Sequence, residues 1–112
     1  MTMKFFALAI LLLTLSSCGM TLPVEGQMQK TKETFTGVAI GYIDGGGDLT
    51  IVLSSGTVCA GNFVRLTREN GAGVLTCDDG RSGPFEFVSI GNRGTGFGDL
   101  GGERLTFTIG VY

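Results

Sequence analysis

The chain has 112 residues, 20 of them glycine, no histidine, 16% charged residues and a formal net charge of −2. This length allows one small domain, and the absence of histidine excludes a Ser-His-Asp triad, a Cys-His pair and a histidine-ligated zinc site. The slightly acidic balance predicts no nucleic-acid partner, and no motif predicts a cofactor.

The N-terminus has the pattern of an export signal. Lys4 precedes an apolar run over residues 5–15, which is shorter than the roughly 20 residues that a membrane-spanning helix needs. The sequence Leu-Ser-Ser-Cys that ends at Cys18 resembles a bacterial lipobox, in which the cysteine is acylated and becomes the first mature residue. This resemblance implies a lipoprotein signal peptide over residues 1–17 and a lipid anchor on Cys18. The alternative is an ordinary secretory signal that ends in a cysteine.

The residues after Cys18 predict the membrane in which the protein is anchored and the tether between the anchor and the domain. Gly19 follows the cysteine where many lipoproteins of the inner membrane have aspartate, so the resemblance favours the outer membrane, with the protein facing the periplasm. Residues 18–33 are polar and have no sustained period, which predicts a lipidated N-terminus and a flexible tether. The domain is then expected over residues 34–112.

The domain is predicted to be all-β. Short segments rich in Val, Ile, Phe, Thr and Leu are separated by glycine-containing turns, and such short connections require antiparallel neighbours. About seven strands are expected, at 34–43, 48–54, 57–66, 73–77, 84–90, 95–100 and 104–111. The sequence therefore predicts a small antiparallel meander, as a rolled sheet or a small barrel.

Alternation and residue type predict the core. Two strands alternate cleanly and should turn apolar side chains inward, and aromatic residues should supply the remaining bulk. The expected core residues are Leu49, Ile51, Leu53, Leu105, Phe107 and Ile109, together with Phe63, Phe85, Phe87 and Phe97.

Three cysteines divide into one anchor and one pair. With Cys18 acylated, Cys59 and Cys77 remain, and an exported location favours a disulfide between them. Two buried free thiols on neighbouring strands are the alternative. The spacing does not match a Cys-x-x-Cys redox motif.

A weak repeat of about 25 residues runs through the domain. Gly-x-Leu recurs at Gly47, Gly73 and Gly98, and each copy precedes a second strand that contains a phenylalanine. The segment from Ser55 to Leu75 resembles MORN repeats, although Cys59 occupies the MORN tyrosine position. That resemblance implies an elongated or rolled antiparallel sheet. Chance spacing in a glycine-rich meander is the alternative.

The most polar segment of the domain is a candidate interaction loop, formed by Asp78, Asp79, Arg81 and Ser82. A solvated hairpin turn, in which the aspartates bond turn amides, is its alternative reading. Asp44 and Asp48 flank three glycines but lack the remaining residues of a calcium loop, so no metal site is expected.

The sequence as a whole is similar to small glycine-rich bacterial lipoproteins that have no assigned activity. We therefore expect a lipid-anchored cell-envelope protein with a non-enzymatic binding or structural role and a protein partner in the envelope. The alternative is a periplasmic inhibitor of a hydrolase, which would use the candidate interaction loop or residues 92–95. A domain of this size is expected to have little room for a cleft.

Overall fold

The computed structural model describes residues 20–110, which form eight antiparallel strands. Each strand pairs with the next, and the first also pairs with the last, so the sheet closes into a barrel. The strands are β1 (Met20–Met28), β2 (Thr34–Gly41), β3 (Gly46–Leu53), β4 (Val58–Arg65), β5 (Asn70–Cys77), β6 (Ser82–Ile90), β7 (Arg93–Leu100) and β8 (Glu103–Ile109). The predicted all-β antiparallel meander is confirmed, and it takes the barrel form. No helix in the described part of the chain is long and apolar enough to cross a membrane.

The first strand corrects the prediction of a flexible tether over residues 18–33. Strand β1 is hydrogen-bonded to β2 on one side and to β8 on the other, so it closes the barrel. Its side chains alternate, and Val24 and Met28 are buried in the interior. The prediction was wrong because Pro23 is uncommon within a strand, because Gly26 interrupts the row of inward apolar residues, and because one partner strand lies at the far end of the chain.

The core positions predicted from alternation are confirmed. The apolar residues of β3 and β8 point inward at every second position. All six are at most 5% exposed: Leu49, Ile51, Leu53, Leu105, Phe107 and Ile109. Phe63, Phe85 and Phe87 are also buried, as expected.

Phe97, which was expected in the core, lies on the outer face and is 43% exposed. The inward positions next to it on β7 are Gly96 and Gly98, so the period of two places its ring outside. There the Arg104 guanidinium carbon lies 5.0 Å from the centre of the ring, in a cation–π contact. The prediction was wrong because it followed residue type and not the alternation along β7.

Glycine and phenylalanine make a repeated contact across the strands. In each of the hairpins β1–β2, β3–β4, β5–β6 and β7–β8, a phenylalanine on the second strand pairs with a glycine on the first, and a Cβ atom on that glycine would overlap the ring. The pairs are Gly26 with Phe35, Gly47 with Phe63, Gly71 with Phe87, Gly73 with Phe85, and Gly96 with Phe107. Gly47 and Gly73 of the Gly-x-Leu repeat take part in this contact, whereas Gly98 pairs with Leu105 in the β7–β8 hairpin; all three precede a buried leucine by two residues.

Two further glycines allow neighbouring strands to approach closely. A Cβ atom on Gly37 would overlap the backbone of Thr50, and a Cβ atom on Gly61 would overlap the backbone of Val74. Glycines at such positions let strands bend sharply, which a small barrel needs in order to close.

The two ends of the barrel differ. The open end comprises the start of β1 and the β2–β3, β4–β5 and β6–β7 turns, and the closed end comprises the β1–β2, β3–β4, β5–β6 and β7–β8 turns. Met28, Leu53 and Leu100 are the last residues of β1, β3 and β7, and they are at most 2% exposed. These large side chains fill the interior at the closed end.

The predicted disulfide is present near the closed end. Cys59 on β4 and Cys77 on β5 are directly paired in the sheet, and their Sγ atoms are 2.01 Å apart. Both cysteines are buried. The bond therefore links two adjacent strands inside the barrel.

Candidate functional site

An open cavity occupies the lumen at the open end of the barrel. Its volume is about 450 Å³, which falls within the range of roughly 300–1,000 Å³ that is usual for small-molecule sites. Most of its wall is apolar, with contributions from Leu22, Ala39, Leu49, Phe63, Phe85 and Ile109. The expectation that the domain has little room for a cleft was wrong.

Small inward-facing residues create this space. Ala39 and Gly41 take inward positions at the end of β2, whereas the closed end has leucines and a methionine at the corresponding depth. The phenylalanine rings lie along the wall because each rests on a glycine of the neighbouring strand. Phe63 and Phe87 meet edge to face, with 5.0 Å between ring centres. The centre of the lumen therefore stays open above these rings.

Two polar side chains stand at the mouth of the cavity. Arg65, the last residue of β4, donates from Nη1 to the hydroxyl of Ser89 at 3.1 Å and to the carbonyl oxygen of Arg68 at 3.0 Å. Ser89 is only 6% exposed, and this bond satisfies a hydroxyl that would be costly to bury alone. The guanidinium carbon of Arg65 also lies 5.8 Å from the centre of the Phe87 ring. Arg65 thus places a positive charge beside an apolar lumen.

A hydrogen-bonded network lies on the outer face of the barrel, next to the β2–β3 turn at the open end. The Tyr42 hydroxyl donates to one carboxylate oxygen of Asp48 at 2.6 Å, and the Asn62 amide donates to the other at 2.6 Å. The hydrogen bond to Asp48 raises the pKa of Tyr42 above its ordinary value of 10.0. Tyr42 therefore stays neutral at physiological pH, and its hydroxyl is held against the outer face of β3 and β4. Asp44, in the same turn, accepts the amide of Gly46 at 3.0 Å, as a turn aspartate does.

The candidate interaction loop lies at the closed end, away from the lumen. Asp78, Asp79 and Arg81 form the β5–β6 turn, and Ser82 begins β6. Asp79 accepts the amide of Arg81 at 3.0 Å and forms an ion pair with its guanidinium at 2.8 Å. Hydrogen bonds from the side chain and then the amide of Arg81 lower the pKa of Asp79. These contacts are those of a hairpin turn, which was the alternative reading of this segment. Inhibition of a hydrolase by this loop stays a prediction.

Two other carboxylates connect turns at the closed end. Glu33 accepts the amide of Ser55, at 2.9 Å, in the β3–β4 turn. Glu103 accepts the amides of Thr31, at 2.9 Å, and Lys30, at 3.1 Å, in the β1–β2 turn. Across residues 20–110, no group of three or more Cys, Asp or Glu side chains is arranged to hold a metal ion.

The remaining predicted residues lie in two places. Residues 92–95 span the end of the β6–β7 turn at the open end and the first residues of β7. Cys18 and the predicted signal peptide over residues 1–17 lie outside the described residues, so the lipid anchor stays a prediction.

Arg65 and Ser89 were not singled out from the sequence. Phe85, Phe87 and Ser89 alternate with exposed residues along β6, so the period of two was available to place Ser89 inward. That pattern does not indicate a cavity, because the space depends on which small residues from other strands reach the same level of the barrel.

Comparison with known proteins supports the fold. No protein-family model matches the chain, and a search of curated proteins finds no match. Among solved structures, the chain is similar to a redesigned β-barrel, mFAP1, bound to DFHBI. The TM-score is 0.67 at 16% sequence identity, and the match covers 81% of this chain and 92% of that chain. The similarity shows the barrel fold.

Proposed function

We propose that this chain is a lipid-anchored, non-enzymatic binding protein of the cell envelope, and that the barrel lumen is its binding site. The observation that carries the proposal is the open cavity of about 450 Å³, which ends at Arg65 and Ser89. An apolar chamber with a few polar groups at its mouth suits a small molecule that has an apolar body and a hydrogen-bond-accepting or anionic end.

The arrangement of the mouth supports this choice of ligand. The guanidinium group is always charged and provides donors to a carboxylate, sulfonate or phosphate, while the aromatic wall removes apolar surface from water. The similar barrel mFAP1 is bound to DFHBI, so a barrel of this fold accommodates a ligand.

The proposed location is the outer membrane, with the barrel facing the periplasm, and it rests on the lipobox that ends at Cys18. Two or three acyl chains would hold the protein stably on the membrane. Cys18→Ala is expected to abolish both fatty-acid labelling and membrane retention. Labelling that persists in Cys18→Ala would contradict the anchor.

Binding in the lumen can be tested with two fluorescent probes and the membrane-purified protein in nanodiscs. The probes are 1-anilinonaphthalene-8-sulfonate, which is anionic, and N-phenyl-1-naphthylamine, which is neutral. Ala39→Phe should fill the cavity, because Ala39 points into it. The affinity for both probes should therefore fall at least tenfold. Ala60→Phe makes the same change on the outer face of β4 and is the matched control.

Arg65→Met separates charge from apolar contact. It should lower the affinity for the sulfonate probe about tenfold, which is the effect of losing one charge-assisted hydrogen bond. The affinity for the neutral probe should stay nearly unchanged. Equal binding by the native chain, Ala39→Phe and Ala60→Phe would show that the probes do not enter the lumen. Thermal unfolding of each variant checks that the barrel is intact.

A further inference from the structure

In the described part of the chain, the three large apolar side chains that are more than 60% exposed all lie at the open end of the barrel. Ile43, in the β2–β3 turn, is 85% exposed, Leu66 in the β4–β5 turn is 67% exposed, and Ile90 at the end of β6 is 72% exposed. Met20 and Tyr42 stand beside them and are about half exposed. We call these five residues the apolar rim. The apolar rim lies at the mouth of the lumen, since three of its residues, Met20, Tyr42 and Ile43, also line the cavity.

The turns of the closed end contain no large apolar residue, whereas the turns of the open end combine apolar residues with the charged residues Asp44, Arg68 and Glu69. The four turns of the closed end are built from Gln, Lys, Thr, Glu, Ser, Asp, Arg and Gly. Isolated exposed apolar residues are common on protein surfaces, whereas a cluster at one end of a molecule marks an interaction surface. The apolar rim is thus a candidate for contact with an apolar phase.

The chain enters the barrel at this rim. Met20 is the first residue of β1, and Cys18 lies only two residues before it. Two residues span at most about 7 Å when fully extended. Because residues 20–28 belong to the barrel, they provide no spacer between Cys18 and the mouth. A lipid on Cys18 would therefore hold the open end, and not the closed end, against the bilayer.

We propose that the apolar rim rests in the surface of the bilayer and that the lumen takes the acyl chain of a membrane lipid through this contact. The inference deepens the proposed function, on which it rests for the anchor at Cys18. The rim residues lie at the level of the lipid head groups and upper acyl chains, where amphipathic side chains such as that of Tyr42 are stable. The cavity then opens towards lipid, and Arg65 at its mouth meets the polar end of the bound molecule.

Tryptophan reporters test the orientation, because the chain has no tryptophan of its own. Ile43→Trp and Leu66→Trp place the reporter on the rim, and Lys30→Trp places it in the β1–β2 turn at the closed end. Each full chain is purified from membranes and reconstituted in phosphatidylglycerol–phosphatidylethanolamine vesicles with or without brominated acyl chains. Bromine quenches tryptophan at short range.

The tryptophan of both rim variants should emit at a shorter wavelength than that of Lys30→Trp. Brominated acyl chains should quench it at least twofold more strongly. Equal quenching at the two ends, or stronger quenching of Lys30→Trp, would overturn the proposed orientation. Fatty-acid labelling of the same preparations reports on the anchor separately. Labelled protein with equal quenching refutes the orientation alone, and unlabelled protein refutes the anchor and the orientation that rests on it.

A photoreactive palmitic acid with a diazirine in its chain tests the ligand class. In the same vesicles it should crosslink to residues of the lumen such as Leu22 and Leu49, and the yield should fall at least fivefold in Ala39→Phe but not in Ala60→Phe. Binding of the naphthalene probes without lumen crosslinks would overturn the acyl-chain ligand while leaving the binding function in place.

Discussion

The ring of Phe63 lies directly on Gly47, its paired residue on the neighbouring strand, so that a Cβ atom at Gly47 would overlap the ring. A glycine–phenylalanine contact of the same kind occurs in each of the hairpins β1–β2, β3–β4, β5–β6 and β7–β8. It covers the backbone of a residue that has no side chain of its own, and it lays a large apolar ring along the wall of a narrow barrel. The glycine content of this chain thus reflects aromatic packing as well as turns.

Gly47→Ala is expected to destabilise the barrel by about 1–3 kcal/mol, because the new methyl group would overlap both the Phe63 ring and the carbonyl oxygen of Ile40 in a packed interior. Gly41→Ala is the matched control, since a Cβ atom there would meet nothing within 4 Å and its φ is not positive. Urea unfolding followed by circular dichroism gives both free energies. Equal losses in the two variants would show that neither overlap at Gly47 is the cause.

Removal of the disulfide should cost about 3 kcal/mol, the chain-entropy effect expected for a loop of this length. Cys59 and Cys77 are 18 residues apart and buried. Thermal unfolding of the native protein with and without reductant measures the loss without changing any side chain. Mass spectrometry after alkylation is the control, and two alkylated thiols in the unreduced protein would contradict the bond.

The sequence predicts the positions of individual strands better than it predicts how the sheet closes into a barrel. The alternation of Leu49, Ile51 and Leu53 is local and was sufficient to place the core face of β3. Strand β1 was missed because its pairing to β8 depends on residues from the other end of the chain, which no local pattern reports. The lumen was missed for a similar reason, since Ala39 and Ser89 come from strands far apart in sequence and meet only when the barrel closes.

Acid should weaken the closed end of the barrel. Hydrogen bonding by Ser55 lowers the pKa of Glu33, and hydrogen bonds to Thr31 lower the pKa of Glu103, each from an ordinary value of 4.5. Because the folded pKa values are depressed, the stabilisation is present above pH 4.5 and is lost as the pH falls through the folded values. Urea midpoints should therefore decrease from pH 6 to pH 3.

Glu103→Gln is the matched variant for the acid effect. It keeps the size of the side chain and an acceptor oxygen for the β1–β2 turn but removes the charge. The variant should be less stable than the native chain at pH 6, and the difference should shrink by pH 3. A constant difference across this range would assign the effect to other carboxylates.

The Tyr42 phenol should titrate above its ordinary pKa of 10.0, because its hydroxyl donates to Asp48 and ionisation would place two negative charges together. The chain has two tyrosines, so Tyr112→Phe leaves Tyr42 as the one absorbing phenol. Absorbance at alkaline pH then gives the midpoint directly. Since the folded pKa is raised, the stabilisation is complete below pH 10 and disappears as the pH rises through the folded value. Asp48→Asn in the same background should return the midpoint towards 10, and an unchanged midpoint would show that Asp48 does not hold the Tyr42 proton.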